Sequence, residues 1–347
     1  MKLFGLALLR LVYQLVYYSW RLGYQLGFRK GYVAKVPVLS VGNLSVGGTG
    51  KTPVVDWLLG ALRDRGIRVG LVTRGYGRVV EPEVLVLEGT ASQGGPGRFG
   101  DEPWSLHQQH PECLIAVHNK RDLAAQSIED QVDLLIMDDG FQHWRLQRDI
   151  DWVLLDPVAG VEMNRLLPVG RLREPPTALY RADAVLLTKC NLADPAPLEQ
   201  WLDRELDLKV PVIQLNYEPC GVTLLCANHT EPLSVLEGKK IFAFCGIGNP
   251  EAFWKSLQGL GAEVMGQRAL SDHQLYDQAL INELSACADQ VGAQWMVCTE
   301  KDGVKIESLG APRTQIYSLA MKITGTEQLE FLLDESLSQS GIRARSR

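Results

Sequence analysis

A glycine-rich segment between an apolar run and an amphipathic stretch constrains the fold of this chain more than any other feature. The apolar run is Val36–Val41, the amphipathic stretch is Pro53–Asp64, and the segment reads Ser45-Val46-Gly47-Gly48-Thr49-Gly50-Lys51-Thr52. Such a loop between a strand and a helix is typical of phosphate-binding loops, because its N–H groups and the helix N-terminus favour an anion. The lysine then reaches the β- and γ-phosphates and the threonine hydroxyl meets Mg²⁺. The segment therefore predicts a nucleotide site.

The segment departs from the strict phosphate-loop pattern at its first position, where Ser45 replaces the glycine. It shares the Gly-Gly-x-Gly-Lys-Thr core of the partitioning ATPases, but Val46 stands where that class has its signature lysine. A second motif, Thr188-Lys189-Cys190-Asn191, follows an apolar run and imitates the motif with which GTPases read guanine. Asn191 takes the place of the aspartate that binds the base, which argues against GTP.

Apolar, β-branched runs alternate with helical stretches along most of the chain, which indicates an α/β fold. The first runs are Val36–Val41, Arg68–Thr73, Cys113–Val117, Asp133–Asp138, Trp152–Asp156 and Ala184–Thr188. Continuous apolar strands separated by helices predict a parallel sheet covered on both faces. Two further runs, Val210–Leu215 and Val222–Cys226, flank a Tyr-Glu-Pro-Cys-Gly segment and predict a hairpin. A second α/β pattern follows, from Ile241–Cys245 to a last helix that begins at Thr326.

The length of 347 residues is typical of two domains rather than one. We therefore predict a P-loop NTPase-like parallel-sheet domain at residues 31–208, a hairpin linker at 209–235 and a second, smaller α/β domain at 236–347. The glycine-rich stretch Gly94–Gly100 is interpreted as a mobile loop.

Acidic residues follow two segments that carry chemistry. An apolar run that ends in Asp138 and Asp139 is the Walker B arrangement, which supports Mg²⁺ beside a phosphate loop. Aspartate also ends many strands because it favours turns. Asp101 and Glu102 follow Gly100, and adjacent carboxylates suit a general base and a metal ligand. The same pair also suits the first turn of a helix, and spacing alone favours that interpretation.

The first 55 residues contain seven Lys or Arg and no Asp or Glu, although the whole chain has a formal net charge of −6. A basic leader on an acidic body suggests an anionic membrane surface rather than nucleic acid. Its longest uncharged run, Leu11–Trp20, is too short to cross a membrane. We predict that residues 1–30 form an amphipathic helix in the membrane interface, where aromatic side chains are favoured. Those side chains are Tyr13, Tyr17, Tyr18, Trp20 and Tyr24. The alternative is an ordinary helix packed on its own domain.

Cysteine and histidine usage excludes some classes of site. The seven cysteines form no Cys-x-x-Cys pair, which favours a reducing compartment over a disulfide framework. The six histidines include His143, shortly after the aspartate pair, and His273, in Ser271-Asp272-His273. An isolated histidine is more often structural than catalytic.

Together these segments resemble the tetraacyldisaccharide 4'-kinase family. The matching stretches occur in the family's order, from about residue 36 to residue 302. They read Val41-Gly42-Asn43-Leu44-Ser45-Val46-Gly47-Gly48-Thr49-Gly50-Lys51-Thr52-Pro53, Thr73-Arg74-Gly75-Tyr76-Gly77, Gly100-Asp101-Glu102-Pro103, Asp138-Asp139-Gly140-Phe141-Gln142-His143, Leu172-Arg173-Glu174-Pro175, Ser271-Asp272-His273 and Thr299-Glu300-Lys301-Asp302. Ser45 agrees with the family pattern, whereas Arg171, between Gly170 and Leu172, departs from it.

The resemblance implies an ATP–Mg²⁺ site near the cleft between two α/β domains. It also implies transfer of the ATP γ-phosphate to the 4'-hydroxyl of tetraacyldisaccharide 1-phosphate, a lipid A precursor. The protein is then expected at the cytoplasmic face of the bacterial inner membrane, bound peripherally to its anionic surface. Neither a nucleic acid nor an obligate protein partner is expected.

The resemblance also assigns roles to individual residues. Catalysis falls to Lys51 and to Asp101, the proton acceptor, with His273 as its partner. Nucleotide binding falls to the phosphate loop, namely Asn43, Ser45, Val46, Gly47, Gly48, Thr49, Gly50, Lys51 and Thr52. The expected metal-binding residues are Thr52, Glu102, Asp138 and Asp139. The expected substrate-binding residues are Arg74, Gln142, His143, Arg173 and Glu174.

Three rival functions remain at this point. One is a membrane-associated ATPase switch of the partitioning type, against which Val46 stands. Another is a GTPase-like metallochaperone, against which stand Asn191 and the lack of a Cys/His cluster in the sequence. The third is a non-catalytic nucleotide-binding scaffold, which would need neither Asp101 nor His273.

Overall fold

The chain forms two sheets with helices packed against them, and the predicted α/β fold is confirmed. The computed structural model describes residues 14–15, 17–24, 26–76, 78, 83–89, 94–160, 165–225, 229–247, 250–271, 274–307, 309 and 315–342.

Within these ranges the first sheet has eight strands. They are β1 (Val38–Asn43), β2 (Val69–Thr73), β3 (Leu85–Leu87), β4 (Leu114–Val117), β5 (Leu134–Asp138), β6 (Ile150–Leu155), β7 (Ala184–Leu187) and β8 (Val212–Gln214). Their order is β3-β4-β2-β5-β1-β6-β7-β8, and they run parallel except for the edge strand β3. β1 lies between β5 and β6 and is buried along its whole length, as a central strand covered on both faces should be.

Helices cover the faces of this sheet. They are α1 (Lys51–Asp64), α2 (Asp101–Gln109), α3 (Arg121–Ile128) and α4 (Ala196–Leu206). α1 is amphipathic, and Leu58, Leu59 and Leu62 on its inner face are completely buried in the core. Because parallel strands end at the same edge of a sheet, the loops that follow β1, β2, β5 and β7 meet there. The phosphate loop, Arg74, the aspartate pair and the Thr188–Asn191 motif therefore lie at this edge of the sheet.

The second sheet has strands in the order β10-β9-β14-β13-β11-β12. Their bounds are β9 (Asn216–Leu224), β10 (His229–Glu231), β11 (Lys240–Cys245), β12 (Glu263–Ala269), β13 (Trp295–Thr299) and β14 (Ile316–Thr324). The helices of this part are α5 (Pro250–Gly259), α6 (Gln278–Gln290), α7 (Glu300–Glu307) and α8 (Glu327–Gln339). β11 to β14 are parallel, whereas β9 runs antiparallel to both β14 and β10.

The predicted hairpin turn at Tyr-Glu-Pro-Cys-Gly is wrong, because these residues lie inside β9. Pro219 and Gly221 pair with consecutive residues of β14, so Cys220 between them is an extra, bulged residue. A bulge interrupts the hydrogen-bond ladder and so accommodates a proline that a regular strand disfavours. The antiparallel hairpin partner of β9 is instead β10.

The last helix returns to the first sheet. Leu329, Leu333 and Leu337 of α8 are buried in the same core as α1. Arg65, just after α1, pairs with Glu330 at 2.5 Å and Asp334 at 2.9 Å. The sequence placed this segment in the smaller domain, whereas its apolar face completes the core of the larger sheet.

The glycine-rich stretch predicted as a loop contains a helical turn, Pro96–Phe99. Phe99 is buried and stacks on Trp104 with ring centroids 5.9 Å apart. Gly100, at φ 98°, then turns the chain into α2, which begins at Asp101. The interpretation of Asp101 and Glu102 as the first turn of a helix is therefore confirmed.

An N-terminal helix includes the described residues between 14 and 24. Its inner face carries Tyr17, whose hydroxyl donates a hydrogen bond to Glu174, and Tyr24, which stacks on Trp144. Leu15, Tyr18 and Leu22 lie on the other face and are exposed. Among the described residues, no helix combines the length and apolarity needed to cross a membrane.

Candidate active site

The loop after β1 has the shape of an anion-binding loop. Gly47 has φ 118° and Gly50 has φ 78°, conformations that glycine adopts without strain. Gly50 caps α1, so the N-terminus of that helix opens at Lys51 and Thr52. Asn43 donates through Nδ2 to Thr49 Oγ1 at 2.8 Å, which closes the base of the loop.

The carbonyls of this loop accept hydrogen bonds from four side chains of other segments. Arg171 donates to Val46 O at 3.0 Å and 3.2 Å, and Lys189 donates to Gly48 O at 2.7 Å. Thr188 Oγ1 donates to Thr49 O at 2.9 Å, and the Tyr217 hydroxyl donates to Gly50 O. These contacts fix the shape of the loop, whose remaining N–H groups would bind a phosphate.

The charges of the site converge on Asp139. Its Oδ1 lies 3.3 Å from Lys51 Nζ, and both of its carboxylate oxygens lie 2.9 Å from Arg173 Nη1. Burial alone would raise the pKa of Asp139, but Lys51 and Arg173 hold it below its ordinary value. The phosphate-loop lysine is thereby positioned by a carboxylate that a second cation shares.

Asp138 and Glu102 form the less compensated part of this acidic group. Asp138 accepts a hydrogen bond from Thr73 Oγ1 at 2.9 Å. Burial raises the pKa of Asp138, the adjacent Asp139 adds to the rise and Lys51 opposes it. Glu102 reaches solvent at the cleft, yet the protein around it, and then Asp138, raise its pKa to about 7, against the effect of Lys51.

These side chains fit a hard divalent cation. Carboxylates and a hydroxyl are the ligands that Mg²⁺ prefers, and in phosphoryl-transfer sites it takes one or two carboxylates together with substrate phosphates. In the described ranges, no group of three or more His, Cys, Asp or Glu side chains is placed to hold a metal ion.

Asp101 faces the second sheet across the cleft. Lys305 of α7 lies 3.5 Å from its carboxylate and also donates to Gln274 O at 3.2 Å. The resemblance implied His273 as the partner of Asp101, but His273 lies outside the described residues. Among the described residues Asp101 pairs with Lys305, a lysine that sequence reasoning missed, and the predicted pairing with His273 stays a prediction.

Gln142 and His143 lie beside the phosphate loop. Gln142 donates to Asn43 O at 2.8 Å and accepts from Arg173 at 3.3 Å. Burial, and then the charge of Arg121, lower the pKa of His143 to about 4, so its imidazole is neutral at pH 7. Its Nε2 is buried and has no hydrogen-bond partner among the described residues.

Arg121 is a buried guanidinium that sequence reasoning missed. It opens α3, and burial lowers its pKa, although Asp138 and Asp139 favour its charged form. Arg74, at the end of β2, is exposed and its carbonyl accepts from Arg78 Nε at 3.3 Å. No sequence motif separates Arg121 from an ordinary arginine at the start of a helix.

The implied contact of Glu174 with substrate needs correction. Glu174 is 0% exposed and pairs with Arg181 at 2.9 Å, while Tyr17 of the N-terminal helix also donates to it. A completely buried carboxylate that is already paired has no surface to offer a substrate. Its role in the structure is to attach the N-terminal helix beside Arg173.

The motif that imitates a guanine-reading sequence has a different role. Asn191 exchanges two hydrogen bonds with the backbone of Tyr217, at 2.8 Å and 3.0 Å. Lys189 pairs with Asp156 at 2.6 Å in addition to its bond to the phosphate loop. Sequence reasoning singled out Thr188–Asn191, but it compared the segment with a motif that reads guanine and so did not predict these contacts.

Similarity to known proteins extends along nearly the whole chain. Residues 3–338 match the family model described as LpxK, tetraacyldisaccharide-1-P 4'-kinase. A tetraacyldisaccharide 4'-kinase from Geobacter metallireducens is 34% identical over 96% of this chain and 97% of the relative, and one from Syntrophotalea carbinolica is 37% identical over 91% and 87%. The crystal structure of LpxK from Aquifex aeolicus in complex with ATP superposes with a TM-score of 0.77, at 28% identity, over 97% of this chain and 99% of that one.

Proposed function

The chain belongs to the tetraacyldisaccharide-1-P 4'-kinase family, and we propose that it transfers the γ-phosphate of ATP to the 4'-hydroxyl of tetraacyldisaccharide 1-phosphate. One observation carries this proposal beyond the family match. The phosphate loop with Lys51 lies beside the carboxylates Asp139 and Glu102, and Asp101 precedes Glu102 at the start of α2. This arrangement supports a nucleotide site next to a proton acceptor, which phosphoryl transfer to an alcohol requires.

The nucleotide is bound by the loop and by Lys51. The N–H groups of Gly47, Gly48 and Gly50 and the start of α1 hold the phosphates, and Lys51 neutralises charge at the β- and γ-phosphates. Thr52, Asp138, Asp139 and Glu102 would hold Mg²⁺, which neutralises the phosphate oxygens when bound. Arg173 keeps Asp139, and through it Lys51, in position.

Asp101 accepts the proton of the attacking hydroxyl. The 4'-oxygen forms its bond to the γ-phosphorus, the bond from that phosphorus to the β–γ bridging oxygen breaks, and its electron pair leaves with ADP. A sugar hydroxyl is a poor nucleophile, so a carboxylate that takes its proton lowers the barrier. His273 is proposed as the partner that orients Asp101 once the cleft closes, and Lys305 is the described cation that already holds it.

The lipid substrate is proposed to meet the side chains at the mouth of this cleft. Arg74 is exposed there and suits the anionic 1-phosphate lipid. Gln142, which is fixed by Asn43 and Arg173, suits a sugar hydroxyl. His143, held neutral, is available as a hydrogen-bonding group that adds no charge.

We further propose that the protein works at the cytoplasmic face of the inner membrane. Leu15, Tyr18 and Leu22 occur at helical spacing and form an exposed apolar face, which Leu26 and Phe28 extend. An apolar face of this kind, flanked by Arg21 and Arg29, suits the interface of an anionic bilayer. Such a face also brings the site to the plane in which an acylated substrate lies.

ADP release distinguishes this function from the partitioning-type ATPase. A kinase releases ADP in proportion to the acceptor lipid, so turnover in detergent should rise steeply when tetraacyldisaccharide 1-phosphate is added and stop when it is consumed. A conformational ATPase hydrolyses ATP without that lipid. A rate of ADP release that is the same with and without the lipid would overturn the proposal.

A further inference from the structure

Arg171 is a charged residue at the phosphate loop to which the family resemblance gives no role. The segment from Arg171 to Arg173 runs antiparallel beside the loop: Ser45 and Leu172 form a bridge, Val46 N donates to Arg171 O at 2.8 Å, and Arg173 N donates to Leu44 O at 2.7 Å. Side chains alternate along an extended segment. Leu172 and Glu174 therefore point into the core, whereas Arg171 and Arg173 face the site.

The guanidinium of Arg171 lies directly over the loop. It donates to Val46 O through Nε and Nη2, and a side chain on Gly47 would collide with Nη2. A guanidinium has five N–H donors, so donors remain beyond the two that Val46 accepts. Among the described residues, no carboxylate forms an ion pair with Arg171, and its side chain is exposed.

Arg173 lies beside the expected place of the transferred phosphoryl group. Arg173 shares Asp139 with Lys51, the lysine that reaches the β- and γ-phosphates. Arg171 projects from the same face of the same segment, two residues earlier. Its uncompensated charge is therefore next to the expected place of the γ-phosphate.

We propose that Arg171 is an arginine finger supplied by the chain itself, whose guanidinium contacts the γ-phosphate of bound ATP and stabilises the charge on the transferred group. Arginine fingers do this in other phosphate-loop enzymes, where they act on the transition state more than on the ground state. The inference rests on the proposed kinase function for the identity of the acceptor, but not for the contact with ATP.

The test compares Arg171→Ala and Arg171→Lys with Arg165→Ala, which removes an exposed arginine from the same segment. Arg171→Ala should lower kcat roughly 100-fold, the order of effect expected for a lost transition-state donor. It should leave the dissociation constant of ADP unchanged, because ADP has no γ-phosphate, and Arg171→Lys should recover part of the rate. Arg165→Ala should change none of these values, and thermal unfolding should be the same in all three.

A second measurement keeps the inference independent of the lipid reaction. Binding of ADP with aluminium fluoride and Mg²⁺, a mimic of the transferred phosphoryl group, should weaken at least about tenfold in Arg171→Ala. Equal weakening of ADP and of the mimic would show that Arg171 only shapes the loop, and would overturn the inference. An unchanged kcat or unchanged binding of the mimic would also overturn it. A wild-type protein that phosphorylates no lipid would reject the proposed function alone.

Discussion

At the scale of single residues, the site depends on Asp139. It follows β5 with φ 51°, a left-handed conformation that is uncommon for residues other than glycine. The turn aims its carboxylate at Lys51 and Arg173, while Asp138 points to Thr73. The sequence predicted that both aspartates belong to the site. It did not predict their different partners, because those depend on the backbone conformation of one residue.

Lys51→Ala should almost abolish phosphoryl transfer, by roughly 10³-fold, because it removes both a phosphate contact and the cation beside Asp139. Thr52→Ala should instead raise the Mg²⁺ concentration that gives half-maximal rate. Initial rates against ATP and Mg²⁺ check both. Lys209→Ala, at an exposed ion pair with Asp207, is the control. Near-normal turnover in Lys51→Ala would reject the assignment of the phosphate loop.

Glu300 makes the stability depend on pH. It begins α7 and accepts from Met321 N at 3.1 Å, and burial raises its pKa from 4.5 to about 7. Between these values the unfolded chain releases a proton that the folded protein keeps, so stability falls as the pH rises through this window. Below about pH 4.5 burial of Glu300 does not lower the stability, because the carboxyl is protonated in both states. Above pH 7 it lowers the stability by its full amount, because the carboxyl is ionised in both states.

Glu300→Gln should therefore be more stable than the wild type by up to about 3 kcal/mol at pH 8, because the amide still accepts from Met321 and never ionises. The advantage should shrink towards zero at pH 5. Urea unfolding midpoints at the two pH values measure it, with the exposed Glu335→Gln as the control for removal of a charge. A stability difference that does not change with pH would contradict the burial of this carboxylate.

At the scale of elements, the segments next to the phosphate loop determine its shape. The loop after β7 provides Thr188 and Lys189, and β9 of the second sheet provides Tyr217. Asn191 holds the backbone of Tyr217, so the first sheet, the second sheet and the loop are joined within one short region. A shift of β9 relative to the first sheet would thus be transmitted to Gly50, directly before Lys51.

The exposed face of the N-terminal helix makes a prediction at this scale. Replacing Leu15, Tyr18 and Leu22 together by Gln should weaken co-sedimentation with anionic vesicles at least about tenfold, because each loses apolar area that the bilayer would cover. Phe331→Gln removes an equally exposed apolar side chain from α8 and should have no effect. Unchanged vesicle binding in the triple variant would mean that the segment is an ordinary packed helix.

At the scale of the whole molecule, local pattern predicted six of the eight strands of the first sheet and the loop that follows β1, but it missed β3 and assigned β8 to the hairpin. Contacts between distant segments were not predictable in this way. The return of α8 to the first sheet, the pair of Lys305 with Asp101 and the burial of Glu174 each join residues far apart in the chain. The prediction of a hairpin turn was wrong because a bulge allows Pro219 to lie inside β9. The domain bounds at residues 31–208, 209–235 and 236–347 stay a prediction.

The position of the new phosphate tests the central claim most directly. Purified protein is incubated in detergent micelles with γ-labelled ATP, Mg²⁺ and tetraacyldisaccharide 1-phosphate, and the lipid product is analysed by NMR. We expect the wild type to place one labelled phosphate on the 4'-oxygen. Asp101→Asn should form this product roughly 10²–10⁴ times more slowly, because the proton acceptor is lost. ATP hydrolysis without labelled lipid, a phosphate on another hydroxyl, or a wild-type rate in Asp101→Asn would contradict this account.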